Sequence, residues 1–273
     1  MKIKKENIEN IENLSYTDFV AFVNQTNVPP GSFSTVTKWM NNSNLSKDSN
    51  VLEIACTTGF SILNLVKNSG CSGVGIDISE SSINRAKENS ISMGLNSKTQ
   101  FINMDATKYT SDRKYTHIVV GAGLGFFPKP DLMIKQMEFL FDEEGYLLAS
   151  PFYVTSEIPK NLVESAKNIF GITPTNIGYK DVMALYNNFN IHYEDRIIPE
   201  METESELTHY CESTIIRACK IYNITDEEYY SVMYNRLYKI KEMSNKLRPY
   251  QGYSVIVFSY DKKIYPNRYV ELF

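Results

Sequence analysis

Residues 51–60, VLEIACTTGF, decide how this chain is read. Val51 to Ala55 make an apolar run of strand length. The turn Cys56-Thr57-Thr58-Gly59 then leads straight into 60–68, where Ile62, Leu63, Leu65 and Val66 recur at helical spacing. A strand that turns tightly and opens a helix aims helix amides into the turn, and that is a cradle for a ligand. Working outward, 73–77 reads as the next strand, ending at Asp77. Ser79 is the N-cap of a helix over 80–93 that Gly94 ends. Strands over 100–104 and 116–120, a helix over 131–141 and a strand over 146–150 continue the alternation. Five such units in series predict a parallel sheet, because right-handed crossovers place helices on both of its faces.

The flanks carry a different rhythm. A helical segment over 16–24 is broken by Val28-Pro29-Pro30-Gly31-Ser32, since two prolines and a glycine cannot continue a helix. A short helix over 35–40 and a polar link over 41–50 follow. Beyond Ser150 the reading gives helices over 158–170 and 180–187, a strand over 191–198, long helical stretches over 204–222 and 226–247, and a last strand over 253–260. Residues 200–250 therefore read as a helical cap inserted between two strands.

Composition narrows the function. With 273 residues, 42% hydrophobic and 22% charged, the chain can fill one large core and still solvate its surface, which excludes wholesale disorder. Twenty-eight Lys and Arg against 32 Asp and Glu leave a net charge of -4, so no basic footprint favours nucleic acid or an anionic membrane. Cys56, Cys71, Cys211 and Cys219 show neither paired spacing nor nearby His, which points to reduced thiols and no metal site. The N-terminus alternates charge with Ile and Asn, unlike a signal peptide, and no apolar run reaches membrane-spanning length. A cytoplasmic location is expected.

The acids fall in register. Glu53 lies in the first strand and Asp77 ends the second, near the roughly 20-residue offset at which a carboxylate meets a ribose hydroxyl pair. A carboxylate suits that task because it only accepts and can take two O–H donors. Asp105 follows the third strand on the same edge. Taken together, VLEIACTTGF, GVGIDIS and FINMDATKY resemble the three successive cofactor motifs of class I S-adenosylmethionine-dependent methyltransferases. The resemblance covers about 51–151 and reaches the last strand, IHYEDRIIP and GYSVIVFSY fitting the family's terminal reversed hairpin. It implies an α/β, Rossmann-like, mostly parallel seven-stranded sheet with helices on both faces and a helical cap.

The resemblance also implies a layout and a site. One methyltransferase domain spans 1–273: a helical segment over the cofactor site (1–50), a cofactor-binding core (51–200), the cap (200–250), and the last strand with its tail (251–273). Gly31 and Ser32, in a PGS-like loop, would fold over the methionine part of S-adenosylmethionine, which Glu53 also faces. Ala55, Cys56, Thr57 and Gly59 would approach through backbone. Asp77 would hold the ribose, Ile78 would pack on the adenine, Asp105 and Ala106 would bracket its amine, and Gly121 would line the floor near the sulfonium. Where the family pattern has glycines, this chain has Ala55 and Thr57. A Cβ there is harmful only if those residues need positive φ or direct approach by the ligand.

His117 to Gly125 resembles a dinucleotide-binding turn, but Phe126 stands where a glycine is needed and Phe127-Pro128-Lys129-Pro130 interrupts the helix that should follow. The Gly-Ala-Gly-Leu after the fourth strand lacks the Asp/Asn-Pro-Pro-aromatic loop of enzymes that methylate nucleic-acid amines. The acceptor expected is therefore a small molecule methylated at N or O, mainly by proximity and orientation. His209 in the cap and Tyr153 after the fifth strand are the candidate catalytic side chains. A cofactor-binding protein without catalysis is the alternative. Oligomeric state is not legible.

Overall fold

The computed structural model describes residues 8–26 and 28–263; the expected C-terminal tail beyond 263 lies outside the described residues. Its centre is a parallel sheet of β1 (Asn50–Ile54), β2 (Ser72–Asp77), β3 (Thr99–Asn103), β4 (Tyr115–Gly121) and β5 (Phe141–Ala149), in the order β3-β2-β1-β4-β5. The order reverses at β1, so the β1–β4 gap is the switch point, above which a crevice forms at the carboxyl ends of the strands. Between the strands run α4 (Phe60–Ser69), α5 (Glu80–Ser92) and α6 (Pro130–Leu140). Alternate strand residues feed two cores. Leu52, Ile54, Ile76, Ile118 and Leu147 pack toward α6, while Val51, Val119 and Leu148 pack toward α4 and α5. Gly73 permits the second packing, because a Cβ there would lie 2.7 Å from the Ile62 side chain.

The sheet closes with β8 (Gln251–Asp261), antiparallel to β5, and with β7 (Asn190–Ile197) on its other edge. An eighth strand, β6 (Phe152–Val154), was not anticipated. Its register against β8 continues that of β5: Ala149 faces Ile256 and Phe152 faces Tyr253. The fifth strand of the expected seven is thus interrupted at Ser150-Pro151. A proline cannot donate to the ladder, and the break separates the pieces.

The N-terminal helices α1 (Ile8–Asn13), α2 (Tyr16–Phe22) and α3 (Ser32–Asn41) divide their allegiance. Helix α3 docks on the sheet through Trp39, fully buried with Nε1 donating to the Ala149 carbonyl (3.2 Å), and through the Lys38–Asp195 ion pair. Helices α1 and α2 pack instead with the cap, α9 (Glu204–Tyr222) and α10 (Glu227–Leu247). Ile11, Phe19 and Val23 share a third core with Cys211, Ile215, Met233 and Leu237. The Phe22 and Tyr222 rings stack at 4.6 Å, and Arg85 of α5 donates to both the Ala21 carbonyl and Tyr222. Helix α9 opens on a reciprocal Thr203–Glu206 capping box. Helices α7 (Lys160–Phe170) and α8 (Tyr179–Ala184) complete the chain between β6 and β7. No described helix is long and apolar enough to cross a membrane.

Trp39 joins the N-terminal segment to the central sheet and is the only tryptophan. Trp39→Ala should cost about 3–5 kcal/mol, the range for truncating a buried aromatic. Urea unfolding followed by circular dichroism measures it; a loss below 1 kcal/mol would show that α3 docks by other means.

Candidate active site

The crevice above β1, β2 and β4 is built from a turn under backbone strain. Ala55 (φ 55°), Thr57 (φ 48°) and Gly59 (φ 82°) alternate in the left-handed region, so the two positions at which the chain lacks the family's glycines do demand positive φ. For a β-branched residue such as Thr57 this conformation is rare, and strain of this kind concentrates at functional turns. What holds it is Asp77. Its Oδ2 accepts from the Thr57 amide (2.9 Å) and its Oδ1 from the Ser79 amide (2.9 Å), joining the end of β2 to the turn after β1. Two lone-pair directions remain on that carboxylate for a ligand's hydroxyls. Burial pushes the Asp77 carboxyl up, against the pull of these amides.

Glu53 works from below. Its side chain is 6% exposed, and Oε2 accepts from the Ile62 amide (3.0 Å) in the first turn of α4. Burial, with a small push from the Asp77 charge, raises its carboxyl to about 8, against the pull of the adjacent Ser61 side chain and the Ile62 amide, so Glu53 is mostly protonated at neutral pH. It reaches the crevice through the helix it holds. Cys56, next to it, is fully enclosed, and burial raises its thiol well above the usual range.

A strap, residues 24–26 and 28–32, crosses this turn. Asn24 and Asn89 exchange amide hydrogen bonds (2.9 Å each), Asn89 also donates to the Thr58 carbonyl, Thr58 Oγ1 donates to the Gln25 carbonyl (3.0 Å), and Ser61 Oγ donates to that of Val28. None of these pairs is visible in the sequence, because each joins residues about thirty or more apart. Gly31 (φ 77°) turns the strap under Tyr253, whose hydroxyl would lie 2.8 Å from a Cβ there. Ser32 is also left-handed, and its Oγ is enclosed with no partner among the described residues. Gly121 (φ 52°) ends β4 beside Pro29 of the strap, and Ala55 lies across from Gly123.

The remaining expected positions scatter in role. Ile78 is 76% exposed at the crevice rim. The Asp105 carboxylate accepts from the Thr107 hydroxyl and amide, which holds its carboxyl below the usual range and caps the short turn at Ala106–Lys108; Ala106 is buried. Tyr153 is 2% exposed, its ring packed over Gly252 and edge-on to Tyr179 at 5.2 Å, with Arg196 stacked nearby. It does not line the cavity that adjoins the crevice, whereas its neighbour Phe152 does. His209 is exposed on α9, and no hydrogen bond or ring contact of the described residues joins it to the strand-end loops. The cavity itself draws its walls from the loops after β4 and β5, from 173–177 and from α8, whereas the cap contributes none.

Comparison with known proteins gives the family and the fold. Residues 45–227 match the family described as "Methyltransferase domain". An uncharacterised protein of Haemophilus influenzae is 25% identical over 162 residues, 58% of this chain; the alignment spans 64% of that relative, under two thirds of its length. Among solved structures, MccD protein is 25% identical with a TM-score of 0.70, covering 85% of this chain and 99% of its own. A SAM-dependent methyltransferase from Geobacter sulfurreducens, solved with S-adenosyl-L-homocysteine, shares the fold at TM-score 0.63 and 17% identity, with 89% and 96% covered.

Two measurements check the site. Ala55→Gly relieves left-handed strain of about 1–2 kcal/mol at the cost of some backbone entropy, so it should stabilise by up to about 1 kcal/mol in urea unfolding. Glu53 binds its proton more tightly folded than unfolded. The stability this contributes is complete below the ordinary carboxyl value of 4.5 and is lost as pH rises through about 8. Glu53→Gln keeps the acceptor for Ile62 and removes the titration, so its stability should change less across that window than the native chain's; equal slopes would place the proton elsewhere.

Proposed function

Because the chain belongs to the methyltransferase domain family, we propose that it is an S-adenosylmethionine-dependent enzyme that methylates an N or O atom of a small molecule. The observation that carries the cofactor is Asp77, fixed at the end of β2 by the Thr57 and Ser79 amides with acceptor capacity left over. That matches a ribose hydroxyl pair. The rest of the crevice fits the same group: exposed Ile78 and buried Ala106 offer apolar surface for a purine, and the left-handed turn at 55–59 brings backbone close. The partnerless Ser32 Oγ of the strap awaits a polar group.

S-adenosylmethionine, when bound, supplies a methyl on a sulfonium centre, open to in-line displacement. The chain's own work is placement and drying. Asp77 orients through its carboxylate, Glu53 positions α4 and with it the turn, and the strap, anchored on Thr58, Ser61 and Asn89, shuts water from the crevice. Buried Tyr153 and exposed His209 are poorly placed to take a proton, which supports transfer by proximity and orientation to an acceptor that arrives deprotonated.

Calorimetric titration with S-adenosylmethionine and S-adenosylhomocysteine tests the reading. Micromolar binding, about −8 kcal/mol, is expected. Asp77→Ala and Asp77→Asn should weaken it at least tenfold, since losing a charge-assisted contact costs about 1.5–3 kcal/mol. Undiminished affinity in both variants would remove the ribose role.

A further inference from the structure

The cavity beside the crevice, about 200 Å³, carries information about the acceptor. It shares a wall with the proposed cofactor site. Gly123 of the loop after β4 faces Ala55, and its neighbours Ala122, Gly125 and Phe126 line the cavity. The far wall is the segment 173–177, held in place where the Val154 amide of β6 donates to the Ile177 carbonyl (2.9 Å) and Gln251 donates to that of Thr175.

The chemistry of the lining is one-sided. Among the described residues it holds no Asp, Glu, Lys, Arg or His. Apart from the Tyr186 hydroxyl, its polar side chains are Thr173, Thr175 and Asn176, which are neutral, and its rings are Phe126, Phe152 and Tyr186. A charged guest would lose part of its hydration and find no counter-ion among these residues, whose polar side chains are neutral hydroxyls and an amide. Size narrows the guest further. An apolar cavity of about 150 Å³ accepts benzene, so this one suits a single ring with one or two small substituents.

We infer that the methyl acceptor is an uncharged, single-ring molecule held in this cavity, with Phe126 and Tyr186 contacting the ring and Asn176 and the two threonines hydrogen-bonding its substituents. The inference rests on the methyl-transfer reading, and the two are separated by experiment. Gly125 lines the cavity and a Cβ there meets nothing within 4 Å, so Gly125→Leu adds bulk at the cavity wall without a backbone clash.

The full chain is titrated first with S-adenosylhomocysteine and then, in its presence, with phenol, benzoate and benzylammonium, followed by ligand-detected NMR. Phenol should bind at least tenfold more tightly than either charged probe. Gly125→Leu should weaken phenol at least tenfold while leaving S-adenosylhomocysteine affinity within about twofold of native. Gly125→Ala should fall between, which guards against a Leu variant that misfolds. Absence of phenol binding, charged probes that match it, or indifference to both substitutions would overturn the neutral acceptor with cofactor binding intact. Failure to bind S-adenosylhomocysteine would instead overturn the methyl-transfer reading beneath it.

Discussion

The hydrogen bond from the Thr57 amide to Asp77 is the contact on which the crevice depends. It links the ends of two neighbouring parallel strands at the switch point, and it holds a β-branched residue in a conformation that such residues rarely adopt. Without an acceptor there, the turn would relax toward ordinary φ and the start of α4 would move with it. Glu53 holds the same helix from the buried side through Ile62. Two buried carboxyl groups thus set one turn, and their partners differ: Glu53 is mostly protonated under α4, whereas Asp77 accepts from two backbone amides at the end of β2.

That turn also organises the N-terminal segment. The strap reads its position from Thr58, Ser61 and Asn89, all in or beside the helices that flank the crevice. Its two ends are tied to different bodies, α3 to the sheet through Trp39 and α2 to the cap through Phe22 and Tyr222. The cap meets this segment through α2 and does not line the cavity, whose walls belong to the loops after β4 and β5, to 173–177 and to α8.

Much of the architecture was legible because it is local. Apolar runs at strand spacing, Ser79 as an N-cap, Gly94 as a stop and an acid near the end of each of three strands are written within a few residues of where they act. The missed strand β6 has the same logic in reverse: Phe152-Tyr153-Val154 is too short to signal itself, and only its register with β8 identifies it as the continuation of β5.

The sequence by itself determined the alternation of strands and helices and the edge of the sheet on which the acids lie, since both follow from periodicity and spacing along the chain; the family resemblance is carried by the three motifs themselves. Tertiary structure decided the left-handed φ of Ala55 and Thr57, the inward turn of Tyr153, the exposure of His209, the common core of the N-terminal helices and the cap, and the uncharged lining of the cavity. The physical reason is range. Those properties depend on neighbours brought together by folding, such as Asn24 beside Asn89 or Phe22 beside Tyr222, and no local pattern of residues encodes such a meeting.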